Sequence, residues 1–200
     1  MYPKSIQDNT IQLKFHTMEK QKIIIITGNK GSGKTTMAYK YIDSLKKRGV
    51  NIGGVITKSE TTKRYEKKLS YSVVDIQTNV SKELLTSNRS SLNTIKVGRF
   101  SMNQEALIWA TEKIESASKI CSAVMIDELG PAELKGLGYS GIAKELINRY
   151  KGLIILVVRI EILEQVRSYF NCDPETTSIV DVENSNKLNN QLLNKVLMNE

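Results

Sequence analysis

The sequence predicts a three-layer α/β fold in which helices cover both faces of a mostly parallel sheet. Short β-branched or apolar runs alternate along the chain with longer segments of helical period, which is typical of such a sheet. Apolar residues make up 40% and charged residues 25% of the 200 residues, as in an ordinary globular chain. The longest apolar runs, Ile23–Ile26 and Leu153–Val158, are far shorter than the ~20 residues that a membrane helix needs.

The amino-terminal part combines a polar segment with a strand, a loop and a helix. Residues 1–20 are polar and lack a clear period, so we expect an N-terminal extension there and a single domain over residues 21–200. Lys22–Thr27 is a β-branched run of the buried-strand type. After a glycine-rich loop, Lys34–Lys47 spaces its apolar residues like the inner face of a helix, and Gly49 supplies a stop.

The middle of the chain is predicted to add further strands and a second helix. Ile52–Thr57 is a second strand, and Thr94–Val97 is a short one. Arg64–Leu69 and Tyr71–Gln77 are predicted to pair as an antiparallel hairpin with a basic turn, inserted into the otherwise parallel sheet. Asn103–Ser118 places small and branched apolar residues on one face and predicts a helix.

The last third alternates strand and helix without interruption. This alternation favours parallel strands joined by helical crossovers. The expected elements are a strand at Ser122–Ile126, a helix at Ile142–Tyr150, a strand at Leu153–Val158, a helix at Ile162–Tyr169, a strand at Ser178–Val182 and a terminal helix at Lys187–Leu197.

The histidine, cysteine and charge content excludes several classes of function. His16 is the one histidine and lies in a polar stretch, so a Ser-His-Asp triad is not expected. Cys121 and Cys172 form no CxxC pair, which leaves a zinc finger without ligands. Two lone cysteines and an N-terminal stretch without an apolar segment predict a cytoplasmic protein. The net charge of +8 suits either nucleic acid or a solvated surface, and scattered lysines with 6% aromatic residues favour the second.

A phosphate-binding pattern is the strongest signal in the chain. The sequence Gly-Asn-Lys-Gly-Ser-Gly-Lys-Thr at residues 28–35 fits G-x-x-x-x-G-K-[ST], with a predicted strand before it and a predicted helix after it. Glycines let the backbone turn its N–H groups toward phosphate oxygens, and the helix N-terminus adds the positive end of a dipole. We therefore predict a nucleotide-binding loop, called the phosphate loop below, made of Gly28, Asn29, Lys30, Gly31, Ser32, Gly33, Lys34, Thr35 and Thr36.

Three side chains of this loop have separate predicted roles. Lys34 is expected to reach the β- and γ-phosphates, and the Thr35 hydroxyl is expected to ligate Mg²⁺. Thr36 is placed to bond an α-phosphate. A plain glycine-rich turn before a helix is the structural alternative.

Two adjacent carboxylates follow a buried strand. The apolar run Ala123–Ile126 leads directly into Asp127 and Glu128, which places both acids at the carboxyl edge of the sheet, where ligands bind in parallel folds. We predict Asp127 as a Mg²⁺ ligand and Glu128 as the residue that orients or deprotonates the attacking water. An acidic cap on the next turn is the structural alternative.

Several further charged residues are candidates for the same site. Arg159 directly follows the predicted strand Leu153–Val158. We expect this strand to lie between the strand that precedes the phosphate loop and the strand that precedes Asp127. Arg159 is therefore predicted to stabilise transition-state charge. Glu133 is the remaining catalytic candidate, because the chain after Asp127 can return toward the site. Arg64 and Arg99 are left as alternative contacts to the phosphates.

A second glycine pattern has a different interpretation. Residues 136–141 match G-x-G-x-x-G, but no buried strand precedes them, so we predict a loop entering a helix rather than a dinucleotide site. The chain also lacks an N-K-x-D motif and an LSGGQ-like segment, which disfavours translation-factor GTPases and ABC ATPases.

Together these residues resemble the THEP-type nucleoside-triphosphatases, a family of small P-loop hydrolases. The resemblance runs from about Ile23 to the C-terminus and is most specific at Ile126–Leu134, which is similar to the family's D-E-[IL]-G-x-x-E-[LM] signature. The pair Glu183 and Asn184 before the terminal helix also fits. The resemblance implies a P-loop α/β domain and functional roles for Lys34, Thr35, Asp127, Glu128 and Glu133.

The predicted activity is Mg²⁺-dependent hydrolysis of nucleoside triphosphates, ATP and GTP among them, to the diphosphate and phosphate. The resemblance implies broad tolerance of the base, and we expect a monomer. Two alternatives stay open. One is a nucleotide or small-molecule kinase on the same fold, and the other is a nucleotide-controlled nucleic-acid-binding module, which the net charge of +8 supports.

Overall fold

The computed structural model describes residues 22–61, 69–87, 93–184 and 190–198 of the chain. The predicted N-terminal extension, residues 1–20, lies outside the described residues, and so does Arg64. Within the described part, the strands are β1 (Lys22–Gly28), β2 (Ile52–Thr61), β3 (Leu69–Asp75), β4 (Ser81–Thr86), β5 (Thr94–Val97), β6 (Phe100–Asn103), β7 (Ala123–Leu129), β8 (Leu153–Arg159) and β9 (Thr177–Asp181).

Helices follow most of the parallel strands. They are α1 (Lys34–Lys47), α2 (Gln104–Ile120), α3 (Ser140–Arg149), α4 (Leu163–Tyr169) and α5 (Asn190–Met198), with short 3-10 turns at Glu133–Lys135 and Ile160–Ile162. The start of α2 is fixed by Asn103, whose side-chain oxygen accepts hydrogen bonds from the backbone N–H groups of Glu105 and Ala106. Among the described residues, no helix combines the length and the apolar character needed to span a bilayer.

The described strands form one mixed sheet in the order β5-β6-β4-β3-β2-β7-β8-β1-β9. The five strands from β2 to β9 in that order pair in parallel, so their carboxyl ends lie along one edge. Strand β8 lies between β1 and β7, which confirms the position predicted for it from the sequence. The other four strands pair antiparallel and extend the sheet beyond β2.

Side chains of the central strands enter two separate hydrophobic clusters. Ile23 and Ile25 of β1 lie in one cluster with residues of α2, α3 and α4. Ile24 and Ile26 lie in the other cluster with residues of α1 and α5. Because successive strand residues point to opposite faces, a continuous apolar run is what a strand buried on both faces requires.

The predicted hairpin differs from the structure. Tyr71 lies opposite Ser59 of β2 on one side and Leu85 of β4 on the other, so both hydrogen-bonding edges of β3 are already used there. The predicted pairing of Tyr71–Gln77 with Arg64–Leu69 is therefore wrong, and β2 itself, extended to Thr61, is the antiparallel partner. Strands β4 and β6 were not predicted from the sequence, because they are short and largely polar.

Candidate nucleotide-binding site

The glycine-rich loop joins the carboxyl end of β1 to the N-terminus of α1. Gly33 caps this helix with a φ of 95°, a left-handed conformation that favours glycine. Gly28 is required for a different reason, because a Cβ there would lie 2.6 Å from both the Ser32 hydroxyl and Val182. The structure therefore explains why glycine stands at residues 28 and 33 of this loop.

Lys34 lies beneath the start of the loop. Only 6% of this residue is exposed, and its Nζ donates to the backbone oxygens of Gly28 at 3.0 Å and Asn29 at 2.7 Å. The ammonium is thus held close to the turn whose N–H groups were predicted to bind phosphate. The Ser32 hydroxyl is buried and has no hydrogen-bond partner within the described residues, whereas Lys30 and Thr36 are exposed.

Thr35 and Asp127 meet across 92 residues of sequence. The Thr35 Oγ1 donates to Asp127 Oδ2 at 3.0 Å, and the Thr57 hydroxyl of β2 donates to the Asp127 carbonyl oxygen. Asp127 is 1% exposed. Burial, and secondly the charge of Glu128, raises the pKa of the Asp127 carboxyl to about 7.

Glu128 is the residue at which the register between β7 and β8 shifts. Asp127 lies opposite Val157 and Leu129 opposite Val158, so Glu128 is the extra residue of a bulge. Its Oε1 accepts a hydrogen bond from Arg159 Nε at 2.8 Å, and both side chains are partly exposed. The structure thus brings together two charged residues that the sequence placed at the ends of neighbouring strands.

Glu133 is buried in the loop that follows β7. Its Oε2 accepts from the Gly130 N–H at 2.7 Å, and its Oε1 accepts from the Tyr139 N–H at 3.2 Å. Burial raises the pKa of the Glu133 carboxyl against the opposing effect of these hydrogen bonds. Both carboxylate oxygens therefore face backbone donors of the same loop.

Glu183 reaches the phosphate loop from the end of β9. Both of its carboxylate oxygens lie 2.8 Å from Asn29 Nδ2. The sequence pattern marked Glu183 only by resemblance, and Thr57 only as the end of a predicted strand. For Glu183 the missing signal was that β9 pairs with β1, since the contact with Asn29 spans 154 residues.

A model of the NTPase family matches residues 23–197. The chain belongs to this family. The nucleoside-triphosphatase THEP1 of Methanocaldococcus jannaschii is 32% identical over 175 residues, 87% of this chain and 96% of that protein. The THEP1 protein of Archaeoglobus fulgidus is 30% identical over 167 residues, 82% of this chain and 93% of that protein. These relatives confirm the family that the sequence motifs predicted.

Solved structures show that the fold is shared as well. The crystal structure of THEP1 from the hyperthermophile Aquifex aeolicus superimposes with a TM-score of 0.64 at 20% identity, covering 87% of this chain and 98% of that one. The solution structure of a human cancer-related nucleoside triphosphatase gives 0.63 at 20% identity, with 88% and 96% covered.

Not every candidate arginine of this NTPase-family chain lies near the loop. Arg99 lies in the turn between β5 and β6, with its guanidinium 4.9 Å from the centre of the Phe100 ring. Five strands separate β6 from β1, so Arg99 lies toward the opposite lateral edge of the sheet from the phosphate loop. Arg159 is the candidate that the sheet order does bring to the site.

Proposed function

We propose that this chain hydrolyses nucleoside triphosphates, ATP and GTP among them, to the diphosphate and inorganic phosphate, with Mg²⁺ and with broad tolerance of the base. One observation carries the proposal. The phosphate loop, the hydrogen-bonded pair Thr35 and Asp127, and Glu128 with Arg159 lie at the carboxyl edge of three adjacent parallel strands. This edge is where ligands bind in open parallel sheets.

The loop supplies the phosphate contacts. Its N–H groups and the N-terminus of α1 favour negative charge, and Lys34 adds a buried ammonium that can exchange the carbonyls of Gly28 and Asn29 for phosphate oxygens. The unpartnered Ser32 hydroxyl is a further donor for such an oxygen. Phosphate is common to all nucleoside triphosphates, so these groups can serve a substrate with any base.

Thr35 and Asp127 fit a magnesium ion. Both offer hard oxygen atoms, with Thr35 Oγ1 and Asp127 Oδ2 3.0 Å apart, and the Asp127 carboxyl is buried, where a divalent cation would offset its negative charge. When bound, Mg²⁺ would neutralise charge on the β- and γ-phosphate oxygens.

Glu128 and Arg159 are proposed to act on the reacting groups. Glu128 orients a water molecule whose oxygen attacks the γ-phosphorus, while the bond between the γ-phosphorus and the β–γ bridging oxygen breaks. The Glu128 carboxylate accepts the water proton, and the diphosphate leaves with the electron pair of that bond. Arg159, now 2.8 Å from Glu128, is close enough to stabilise the negative charge of the transition state.

Phosphate release tests this proposal. We expect the unmodified chain to hydrolyse ATP, GTP, CTP and UTP in Mg²⁺, and Glu128→Gln to bind nucleotide but lose at least about 100-fold in kcat. Glu145→Gln, in an exposed pair with Arg149 on α3, is the matched control and should keep full activity. Nucleotide binding without phosphate release by the unmodified chain would contradict hydrolysis and point to a phosphate acceptor.

Four finer sequence predictions belong with this proposal. They are the three-layer arrangement, the single domain over residues 21–200, the monomeric state and the cytoplasmic location. The division of β1 side chains between two hydrophobic clusters supports the first of them.

A further inference from the structure

The loop between β7 and α3 is tied together by one carboxylate. Glu133 accepts hydrogen bonds from the N–H groups of Gly130 and Tyr139, nine positions apart in sequence. Its own N–H donates to the Gly130 carbonyl at 3.2 Å, which closes the turn from both directions. Glu133 thus connects the residue that follows β7 with the residue that precedes α3.

The carboxylate also accepts a hydrogen bond at the start of α3. Tyr139 is the N-cap of this helix, and its N–H lies ahead of the intrahelical ladder, so it needs an acceptor outside the helix. Glu133 Oε1 is that acceptor, and its negative charge lies at the positive end of the helix dipole. With 5% of the residue exposed, the carboxylate is committed to the protein backbone rather than to solvent.

Gly138 is shaped around this carboxylate. A Cβ at Gly138 would lie 2.0 Å from Glu133 Oε1, and the residue has a φ of +59°. Gly136 has a similar φ of +78°, yet its nearest neighbour would be the Tyr169 hydroxyl at 3.9 Å. Gly141 has open space around it. The G-x-G-x-x-G pattern is therefore explained at Gly138 by the packing of Glu133.

We propose that Glu133 is a positioning residue, which fixes the backbone at Gly130 and thereby holds Glu128 where it orients water. Glu128 is two residues before Gly130, at the bulge of β7, where the strand ladder alone does not fix its direction. Both oxygens of Glu133 accept backbone hydrogen bonds and only 5% of the residue is exposed, so we assign the carboxylate to the loop backbone rather than to proton exchange with substrate. This inference rests on the function proposed above.

The Glu133→Gln variant separates positioning from chemistry. One amide end can still accept a hydrogen bond, but the NH₂ end faces a second backbone donor. We expect kcat to fall about 10- to 100-fold, because a small displacement of a catalytic group has that effect. The KM for ATP should stay within about twofold, and the pH dependence of kcat should keep its shape. Loss of one limb of the pH profile would show a reacting acid or base and overturn the proposal.

Two glycine variants repeat the test without touching the carboxyl group. Gly138→Ala should lower kcat as Glu133→Gln does, because the new methyl group displaces Oε1 from its partners. Gly136→Ala carries the same left-handed strain without that collision, so it should lower thermal stability less than Gly138→Ala does, while kcat is retained. Gly141→Ala should leave kcat unchanged and raise thermal stability slightly, because Gly141 lies in helix α3 with open space around it. Equal losses of kcat in Gly136→Ala and Gly138→Ala would refute the inference.

A double-mutant cycle shows whether Glu133 acts through Glu128. In a Glu128→Gln background, measured under single-turnover conditions, adding Glu133→Gln should cost less than about twofold. A full further loss would mean an independent role and overturn the proposal. If the unmodified chain releases no phosphate, the proposed function fails first. If it does, and Glu133→Gln retains full kcat, the positioning role alone fails.

Discussion

At the residue scale, burial of the Asp127 carboxyl lowers the stability of the folded protein at neutral pH. Its carboxyl is buried, and its pKa is raised from 3.8 to about 7, so the folded state holds the proton more tightly than the unfolded chain does. Ionisation therefore destabilises the metal-free protein as the pH rises from about 4 to about 7, and the penalty is complete above that range. A pattern of apolar residues followed by an acid predicts where this carboxyl lies, but not how much its ionisation lowers the free energy of unfolding.

The neutral isostere Asp127→Asn should reverse that cost. Asparagine can still accept the Thr35 hydrogen bond, so we expect the free energy of unfolding at pH 8 to rise by on the order of 2–4 kcal/mol in Mg²⁺-free buffer. At pH 4 the two proteins should be nearly equal. Urea denaturation at both pH values measures this difference, and equal stability at pH 8 would contradict it. Phosphate release should be abolished.

Arg159 is expected to contribute little to stability and much to activity. Its pair with Glu128 is partly exposed, and such pairs contribute about 0–1 kcal/mol. Arg159→Gln should therefore leave the urea midpoint almost unchanged while kcat falls about 100-fold or more. Arg149→Gln removes an exposed pair with Glu145 on α3 and serves as the control for both measurements. A full kcat in Arg159→Gln would exclude a role in transition-state stabilisation.

At the scale of elements, the end of β9 supports the loop that follows β1. The Val182 N–H donates to the Thr27 carbonyl, and the Glu183 carboxylate accepts a hydrogen bond from Asn29 Nδ2. We expect Glu183→Ala to raise the Kd for a non-hydrolysable ATP analogue about three- to tenfold, since it loses roughly one hydrogen bond that orders the loop. The variant's kcat should change little. Glu164→Ala is the control, because it loses a comparable exposed pair with Arg167, and it should bind the analogue as before. Equal Kd shifts in both variants would show that Glu183 has no specific role in supporting the loop.

The elements also show how far sequence patterns reach. Helix α1 has its predicted bounds, and β8 has its predicted neighbours, because long periodic or fully apolar segments specify their own structure. Strand β4, with the sequence SKELLT, alternates poorly and is held by its partners β3 and β6 rather than by its own pattern. The hairpin prediction was wrong for the same reason, since strand register in the antiparallel half of the sheet depends on tertiary pairing.

At the scale of the whole molecule, the site exists only after the sheet is assembled. The phosphate loop, Asp127 and Glu128 could be predicted to lie together because each comes at the carboxyl end of a buried strand, and parallel strands share one carboxyl edge. The pairs Asn29–Glu183 and Glu133–Tyr139 could not, because they depend on which strands are neighbours and on how one loop folds back. Ligand binding should therefore be coupled to the stability of the entire fold.

Thermal unfolding measures this coupling. A ligand at 100 times its Kd stabilises the folded state by about 2.7 kcal/mol, which corresponds to a rise in Tm of roughly 5–10 °C for a chain of this size. We expect that rise with Mg²⁺ and non-hydrolysable ATP or GTP analogues, both for the unmodified chain and for Glu128→Gln, which keeps the phosphate loop and Lys34 unchanged. Lys34→Ala should show little rise at the same concentration. A shift with only one base would contradict broad tolerance, and an undiminished shift in Lys34→Ala would place the nucleotide away from the loop.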